Sequence, residues 1–335
     1  MKEKDTRRYA RVIVRKLVRL LLLLLFTSVT AFVLMKASPI DPLQANVGQA
    51  ALGSMSAGQV AKLEAYWGTR ENPLKQYISW LGDFVRGDMG VSLLYRQPVG
   101  EVLAVRLQNS LLLMVTAWVL SGVLGVALGA AAGMNQGRRV DRWIKGYCLV
   151  ISSTPAFWLA MLLLMVFGVW LKIFPIGLSV PIGVAAADVT FLDRIQHFIL
   201  PAVTLSITGI ANIALHTREK MIEIAESEYM LFARARGEKG WKLFWNHGLR
   251  NILLPAMTLQ FASISEIFGG SVLVEQVFSY PGLGQAAVAA GLGSDMPLLM
   301  AVTVVSALFV FGGNLIADVL YRIVDPRIRK GGARL

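Results

Sequence analysis

EYMLFARARGEKGWKLFWNHGLRNILLP, residues 228–255, decides the fold, because this charged stretch is set between hydrophobic segments that are each long enough to cross a bilayer. Its first part has helical periodicity, with one small or aromatic face formed by Tyr229, Phe232, Ala233 and Arg236. Gly237 is expected to end this helix. After Gly240 the apolar residues resume at helical spacing, at Trp241, Phe244, Trp245 and Leu249. The pattern predicts a short helix, a glycine bend and a helix on the membrane surface.

The composition indicates an integral membrane protein. The chain has 335 residues, of which 55% are hydrophobic and 16% charged. This balance is too apolar for an ordinary soluble domain, and the chain is long enough for several membrane spans. We therefore expect an all-α integral membrane fold with about six transmembrane helices, in a single domain without an internal repeat.

Six hydrophobic runs predict the spans, at residues 20–35, 107–133, 147–171, 197–217, 255–274 and 298–321. The segments between them predict four regions: a cytoplasmic N-terminus with the first helix (1–36), an extracytoplasmic segment (37–106), a five-helix core (107–322) with its cytoplasmic turn at 218–253, and a cytoplasmic tail (323–335). The start of the chain is similar to a signal peptide but lacks a small-residue cleavage site, so we interpret it as an uncleaved first span.

Local patterns predict how these segments pack. Apolar residues in helical register predict a helix over 73–84 on the outer membrane face, with a solvated loop as the alternative. The second span has small residues at every fourth position, which would let another helix approach closely: Ser121, Gly125, Gly129 and Gly133. The third span contains Pro155, which is expected to kink it, while the preceding hydroxyls bond the freed backbone carbonyls: Ser152, Ser153 and Thr154.

The distribution of basic residues predicts the orientation. Residues 1–19, 134–146, 218–250 and 322–335 hold 24 of the 33 lysines and arginines. Because cytoplasmic loops carry the excess of basic residues, both termini and the central turn are expected in the cytoplasm. The net charge of +12 is then a topology signal, and it gives no reason to expect a nucleic-acid partner.

The sequence has no GxxxxGK[ST] loop, GxSxG or HExxH motif, so ATP hydrolysis is not expected in this chain and an intramembrane enzyme is a distant alternative. Cys148 is the one cysteine and lies in an apolar run. The histidines, His197, His216 and His247, are too far apart for a metal-binding motif and are interpreted as structural. We expect neither a metal nor a bound cofactor.

Glu266 is the sharpest candidate for a functional residue within a span, because an ionised side chain in hydrocarbon costs several kcal/mol. It lies in the middle of the predicted fifth span, beside Gly269 and Gly270. We hypothesise that it faces a translocation path, where it could meet a substrate's ammonium group. A hydrogen bond to a neighbouring span is the alternative, and such a bond would also account for Asn212 and Asn314.

Three separated motifs resemble those of one transporter family. The pattern EYxxxARARG followed by HGLRNxLLP resembles the coupling loop, or EAA loop, of permease subunits in the dipeptide, oligopeptide and nickel ABC importers. This sequence departs from the consensus of that loop, because Leu231 and Phe232 replace an acidic residue and an alanine. EQVFSYPGLG, residues 275–284, resembles the family's outer-gate motif, although Pro-Gly alone would make a turn. DVLYRIVDPRIR, residues 318–329, resembles its C-terminal signature.

The resemblance implies roles for particular residues. Those of the coupling helix, which would dock on a cytoplasmic ATPase, are Glu228, Tyr229, Phe232, Ala233, Arg234, Ala235 and Gly237. Those of the outer gate, to which Glu266 is added as a path residue, are Glu275, Phe278, Pro281, Gly282 and Gly284. The C-terminal signature would serve as an anchor, with Asp318 and Arg322 paired at i, i+4 and a helix stop at the surface formed by Asp325, Pro326 and Arg327.

The resemblance implies a type I ABC importer transmembrane domain with an extracytoplasmic insertion after its first helix. Its partners would be a second homologous permease, two cytoplasmic ATPase subunits that use ATP and magnesium, and an extracytoplasmic substrate-binding protein. The substrate would be a peptide, with a nickel or metallophore complex as the alternative.

Three other interpretations stay open. A gradient-driven transporter would be expected to contain ionisable relays and inverted repeats. A membrane anchor for a soluble partner would not need six spans. The central turn could also be only a basic amphipathic segment on anionic lipid.

Overall fold

The computed structural model describes residues 2–66, 72–184 and 188–324, and within them the regular structure is helical. The helices are α1 (Lys2–Ala37), α2 (Pro42–Val47), α3 (Gln49–Ser54), α4 (Ala57–Tyr66), α5 (Pro73–Val85), α6 (Val99–Met134), α7 (Arg139–Ser152), α8 (Ala156–Leu163), α9 (Phe191–Ala225), α10 (Glu228–Ala235), α11 (Gly240–Leu243), α12 (Leu249–Ala262), α13 (Ile264–Val277), α14 (Leu283–Leu292) and α15 (Met296–Val324). A π-helical segment, Leu164–Trp170, follows α8, and another, Phe244–Gly248, joins α11 to α12.

The described helices supply up to six membrane spans, as the hydrophobic pattern predicts. Four are single long helices: Val14–Ala37, Val99–Met134, Phe191–Ala225 and Met296–Val319. Two more are formed only if a bent pair of helices is counted as one span: Arg139–Ser152 with Ala156–Trp170, and Phe244–Ala262 with Ile264–Val277. The expected all-α membrane fold is confirmed.

The third span differs from the expected kinked helix. Its two parts are bent by 107° at the break before Pro155. The hydroxyls act as expected, since Ser153 Oγ and Thr154 Oγ1 each donate a hydrogen bond of 2.8 Å, to the carbonyls of Leu149 and Val150. The helix also begins at Arg139, so much of the basic segment expected as a loop is the first turns of α7.

The fifth span also differs, because the chain does not form a separate surface helix before it. Helix α11 continues through the π-helical segment into α12, and Pro255 lies inside α12 where a start was expected. The break comes later, at Ser263, where α12 and α13 are bent by 52°. The predicted outer loop after α13 contains a further helix, α14, formed by a run of alanine, leucine and glycine.

One compact unit consists of Met1–Asn109 with Gly282–Phe311. Its core is apolar and is formed by the first turns of α6 with α14 and the start of α15. Helix α5 begins where its periodicity predicts and ends one residue later, at Val85. Tyr77 attaches it to α1 through a 2.8 Å hydrogen bond with Ser28. Asp295 is buried before α15 and accepts hydrogen bonds from the Ser92 hydroxyl and the Leu94 amide.

The second compact unit consists of Ser110–Pro281 with Gly312–Leu335, and α9 contacts most of its other helices. The small-residue repeat on α6 packs against α9, as predicted. A Cβ atom built on Gly129 would lie 2.5 Å from the Ala214 carbonyl oxygen, and one on Gly133 would lie 2.5 Å from the Met221 Cβ. Only glycine allows this approach, because side-chain atoms at those distances would overlap with the neighbouring helix.

Candidate functional site

Helix α10 is held by one face and presents another. Met230 and Ala233 are buried, and they join an apolar cluster formed with α6, α9 and α12. Tyr229, Leu231 and Phe232 are exposed, Phe232 to 66%. The sequence pattern grouped Ala233 with the exposed aromatic residues, whereas in the structure it packs inward beside Met230. The helix therefore offers an aromatic and apolar surface on a fixed base.

The bend after α10 is fixed by backbone geometry and by one carboxylate. Gly237 has a φ of 89°, which a residue with a side chain rarely adopts, and the Glu238 amide donates a 3.2 Å hydrogen bond to the Ala233 carbonyl. The Glu238 carboxylate accepts a 3.2 Å bond from Asn246 Nδ2 and lies 3.3 Å from His247 Nε2. The Asn246 bond and the nearby His247 hold the pKa of Glu238 below its ordinary value.

A buried ion pair fixes the helices that lead into this turn. Arg218, near the end of α9, donates hydrogen bonds through two nitrogens to both carboxylate oxygens of Asp141 in α7. The Gly137 amide donates a third bond, of 2.9 Å, to Asp141. The Asp141 and Arg218 side chains are 4% and 16% exposed. The pair thus joins α7 to α9 about two turns before α9 ends.

A cavity of about 150 Å³ lies between α9, α12 and α13. Most of its lining surface is apolar, and Glu266 lines it. Its other lining residues are mostly apolar or small, and the polar ones are Thr208, Asn212, His216 and Ser263. Within the described residues, the side chains of Glu266, Asn212 and His216 have no hydrogen bond or ion pair. The carboxylate, amide and imidazole groups that line the cavity therefore contribute no hydrogen bond or ion pair to the described structure, and they are available to a ligand.

Asn314 is different, because its Oδ1 accepts a 2.8 Å hydrogen bond from Ser265 Oγ. Asn314 therefore makes the interhelical hydrogen bond that was the alternative interpretation for the polar residues within spans. It is not found for Glu266 or Asn212 among the residues that the structure describes.

The residues of the outer-gate motif are mostly buried. Glu275 and Phe278 are 0% and 1% exposed, Gly282 and Gly284 are buried, and Pro281 is half-buried. Glu275 accepts a 2.6 Å hydrogen bond from Ser110 Oγ. The Phe278 carbonyl accepts a 2.8 Å bond from the Leu178 amide. The end of α13 is therefore a packed junction, and its role as a gate stays a prediction.

Most residues of the predicted C-terminal anchor lie outside the part of the chain that the structure describes. Asp318 is exposed on α15, and the Arg322 backbone is helical. The Arg322 side chain and residues Asp325, Pro326 and Arg327 lie outside the described residues, as does the Trp241 side chain. Their predicted roles stay predictions.

Comparison with known proteins places the chain in a family. Residues 125–330, more than half of the chain, match the family model of the binding-protein-dependent transport system inner membrane component. The chain belongs to this family. It is 37% identical to the oligopeptide transport system permease protein AppB of Bacillus subtilis (strain 168), over 94% of this chain and 98% of that protein.

Two other relatives are similar over almost their whole length. A probable peptide ABC transporter permease protein of Sinorhizobium fredii is 33% identical, over 95% of this chain and 98% of its own. A putative peptide permease protein of Brucella suis biovar 1 is 34% identical, over 92% of this chain and 95% of its own. The matched family region of this inner membrane component contains α9 to α13, and therefore both α10 and the cavity lined by Glu266.

Two features of this inner membrane component were missed from its sequence. His216 was interpreted as structural, yet it lines the same cavity as Asn212 and Glu266. A signal was available, since Thr208, Asn212 and His216 recur at every fourth position and must share one face of α9. The pair between Asp141 and Arg218 joins positions 77 residues apart, and no local pattern could have predicted it.

Proposed function

We propose that this inner membrane component is a permease subunit of an ABC importer, and that its substrates are peptides. The observation that carries the proposal is the similarity, over nearly the whole chain, to proteins named oligopeptide or peptide permeases. The partnerless polar residues of the cavity support it, because a path for a polar substrate needs such groups inside the membrane. None of the three relatives bears a name that refers to nickel.

The importer that we propose contains further subunits. A second homologous permease would complete the path, an extracytoplasmic binding protein would deliver the peptide, and two ATPases would supply energy from ATP and magnesium. The family description supports the binding protein, and the missing GxxxxGK[ST] loop supports a separate ATPase. This chain itself would bind no cofactor. Both termini and the central turn would lie in the cytoplasm, on the side of the ATPases.

We assign ATPase coupling to the exposed face of α10, with Tyr229, Leu231 and Phe232 as the contact residues. Glu228, Arg234 and Ala235 are exposed on the same short helix and would surround the contact. Ala233 and Gly237 would act indirectly, because Ala233 is buried and Gly237 makes the bend. Movement of the ATPases would displace α10 and rock the spans between inward-facing and outward-facing states.

The coupling surface can be tested by co-purification of this chain with a co-expressed candidate ATPase subunit. We expect Phe232→Glu to abolish capture of the ATPase, because it places a charge in the centre of an apolar contact. Ile182→Glu is the matched control, since Ile182 is 87% exposed in the loop before α9. If the Phe232→Glu variant captures as much ATPase as the control, α10 does not contact the ATPase. That result would favour a helix that only lies on the lipid surface.

The substrate class can be tested by uptake in cells that lack this gene. We expect the restored gene to support uptake of radiolabelled tripeptides and to leave chelated nickel uptake at background. Nickel uptake without peptide uptake would transfer the proposal to the metal-chelate alternative. Uptake that continues when the ATPase is inactivated would favour a gradient-driven transporter.

A further inference from the structure

We infer that the cavity between α9, α12 and α13 binds the α-ammonium end of the transported peptide, with the Glu266 carboxylate as its counter-charge. The inference rests on the proposed function, because it takes a peptide as the substrate. It goes further by naming which end of the peptide this chain recognises and which residues do so.

Glu266 is available for a ligand in a way that the buried acids are not. Asp141 is paired with Arg218, Glu275 accepts a hydrogen bond from Ser110, and Asp295 caps the start of α15. Within the described residues Glu266 has no such partner. Its side chain is exposed where it lines the cavity, so a cation that enters the cavity can reach the carboxylate and neutralise it.

The lining of the cavity favours a cation over an anion. Glu266 is the one acidic residue in the lining, and neither lysine nor arginine is among the lining residues. Asn212 and Thr208 add neutral oxygen atoms, which can accept hydrogen bonds from an ammonium group or from the first peptide N–H. A peptide's terminal carboxylate would find neither lysine nor arginine here and would be repelled by Glu266.

A bound metal ion fits this cavity less well than an ammonium group. No group of three histidine, cysteine, aspartate or glutamate side chains placed to hold a metal occurs in the part of the chain that the structure describes. The cavity offers one carboxylate and one imidazole, whereas protein sites for transition metals commonly have three or more ligands. An ammonium group needs only hydrogen-bond acceptors and one negative charge.

The size of the cavity limits what it can hold. Its volume of about 150 Å³ is well below the ~300 Å³ at which pockets for whole drug-sized ligands begin. It can therefore enclose the end of a peptide but not its full length. Recognition of one terminus, with the rest of the peptide outside the cavity, would also tolerate peptides of different sequence.

The test measures binding to the purified permease–ATPase complex without the binding protein, so that the binding protein's selectivity plays no part. The probes are trialanine, its C-terminal amide and its N-acetyl derivative. We expect the first two to raise the midpoint of thermal unfolding, since a ligand that binds only the folded state stabilises it. N-acetyltrialanine has no ammonium group, so it should give no shift.

Glu266→Gln should weaken binding of trialanine and its amide by at least about tenfold, as expected for loss of a charge-assisted hydrogen bond. Glu266→Asp should retain part of the binding, because it keeps the charge. Glu219→Gln is the control: Glu219 is an exposed acid on α9 that does not line the cavity, and its loss should change nothing.

Several results would overturn the inference. They are equal stabilisation of the wild-type complex by all three probes, stabilisation by none of them, and unchanged trialanine binding in Glu266→Gln. Failure of the proposed function is a separate observation, because it would appear as absent tripeptide uptake by cells that carry the wild-type gene. Peptide uptake combined with any of those three binding results would retain the permease and reject the site.

Discussion

At the scale of single residues, acids inside this protein differ by whether the fold provides a partner. Three carboxylates, those of Asp141, Glu275 and Asp295, are buried in the described part of the chain, and each accepts hydrogen bonds. Burial of an ionised group is tolerable only with such partners. These acids therefore belong to the architecture, while Glu266 faces a cavity and is free to act on a ligand.

Loss of the Asp141 carboxylate should show how far the stability of the protein depends on such a partner. We expect Asp141→Asn to destabilise the protein by about 3–5 kcal/mol, because it leaves the Arg218 guanidinium buried without its counter-charge. Thermal unfolding in detergent would measure the loss. The double variant Asp141→Leu, Arg218→Met removes both charges and should recover most of it. If the double variant is as unstable as the single one, the two side chains stabilise the protein through their packing and hydrogen bonds and not through charge compensation.

At the scale of helices, packing depends on glycine where α6 meets α9. We expect Gly129→Ala to destabilise the protein by about 1–3 kcal/mol, because the new methyl group would overlap with the Ala214 carbonyl. Gly146→Ala is the matched control, since a methyl group there meets nothing within 4 Å, and it should be neutral or slightly stabilising. Equal effects in thermal unfolding would contradict close packing of these helices.

The bend after α10 should depend on pH through Glu238. Its pKa is lowered in the folded state, so its contribution is present above the ordinary carboxyl pKa and is lost as pH falls through the lowered value. We expect amide exchange at residues 237–239, corrected for the intrinsic effect of pH, to accelerate in that acidic range. Glu238→Gln should exchange faster at neutral pH and show no such transition. A transition retained in the variant would assign it to another group.

Patterns within one helix predicted that helix well, and contacts between helices did not follow from them. The repeat of small residues on α6 and the register of α5 are local properties, and both were confirmed. A kink was predicted at Pro155, but neither its size of 107° nor the 52° bend at Ser263 was predicted. Both angles depend on how α7, α8 and α13 pack against α9. The inward position of Ala233 was missed for the same reason, since Met230 and its neighbours from α9 and α12 decide which face is buried.

At the scale of the whole molecule, the sequence was sufficient for the family, because three motifs spread along the chain agree. It could not identify the cavity, since Asn212 and Glu266 are 54 positions apart and meet only through folding. The ligand preference that we infer for this cavity could not be predicted either, because it depends on distances between side chains of three helices. The expected orientation of the termini also follows from charge distribution alone.

The orientation can be tested with cysteines, because the chain has one native cysteine, Cys148, and it is buried. In a Cys148→Ala background, a membrane-impermeant maleimide added to intact spheroplasts should label Lys62→Cys and leave Lys239→Cys unlabelled. Inside-out vesicles should give the reverse. Both positions are exposed, so access to the reagent decides the result. Labelling of Lys239→Cys in spheroplasts would invert the proposed topology and place α10 away from any cytoplasmic ATPase.

The glycine contacts between α6 and α9 pack these two helices so closely that they have no room to shift against each other. Backbone meets backbone at Gly129, so neither helix can slide without a collision. Both helices also contribute to the apolar cluster that contains residues of α10 and α12. If α10 couples to an ATPase as we propose, its displacement should move these helices together. The break at Ser263 separates α12 from α13, which contacts α9 and carries Glu266 in its first turn. If a peptide passes beside Glu266 as we propose, the contact between α9 and α13 should open for it, with Ser263 as the hinge.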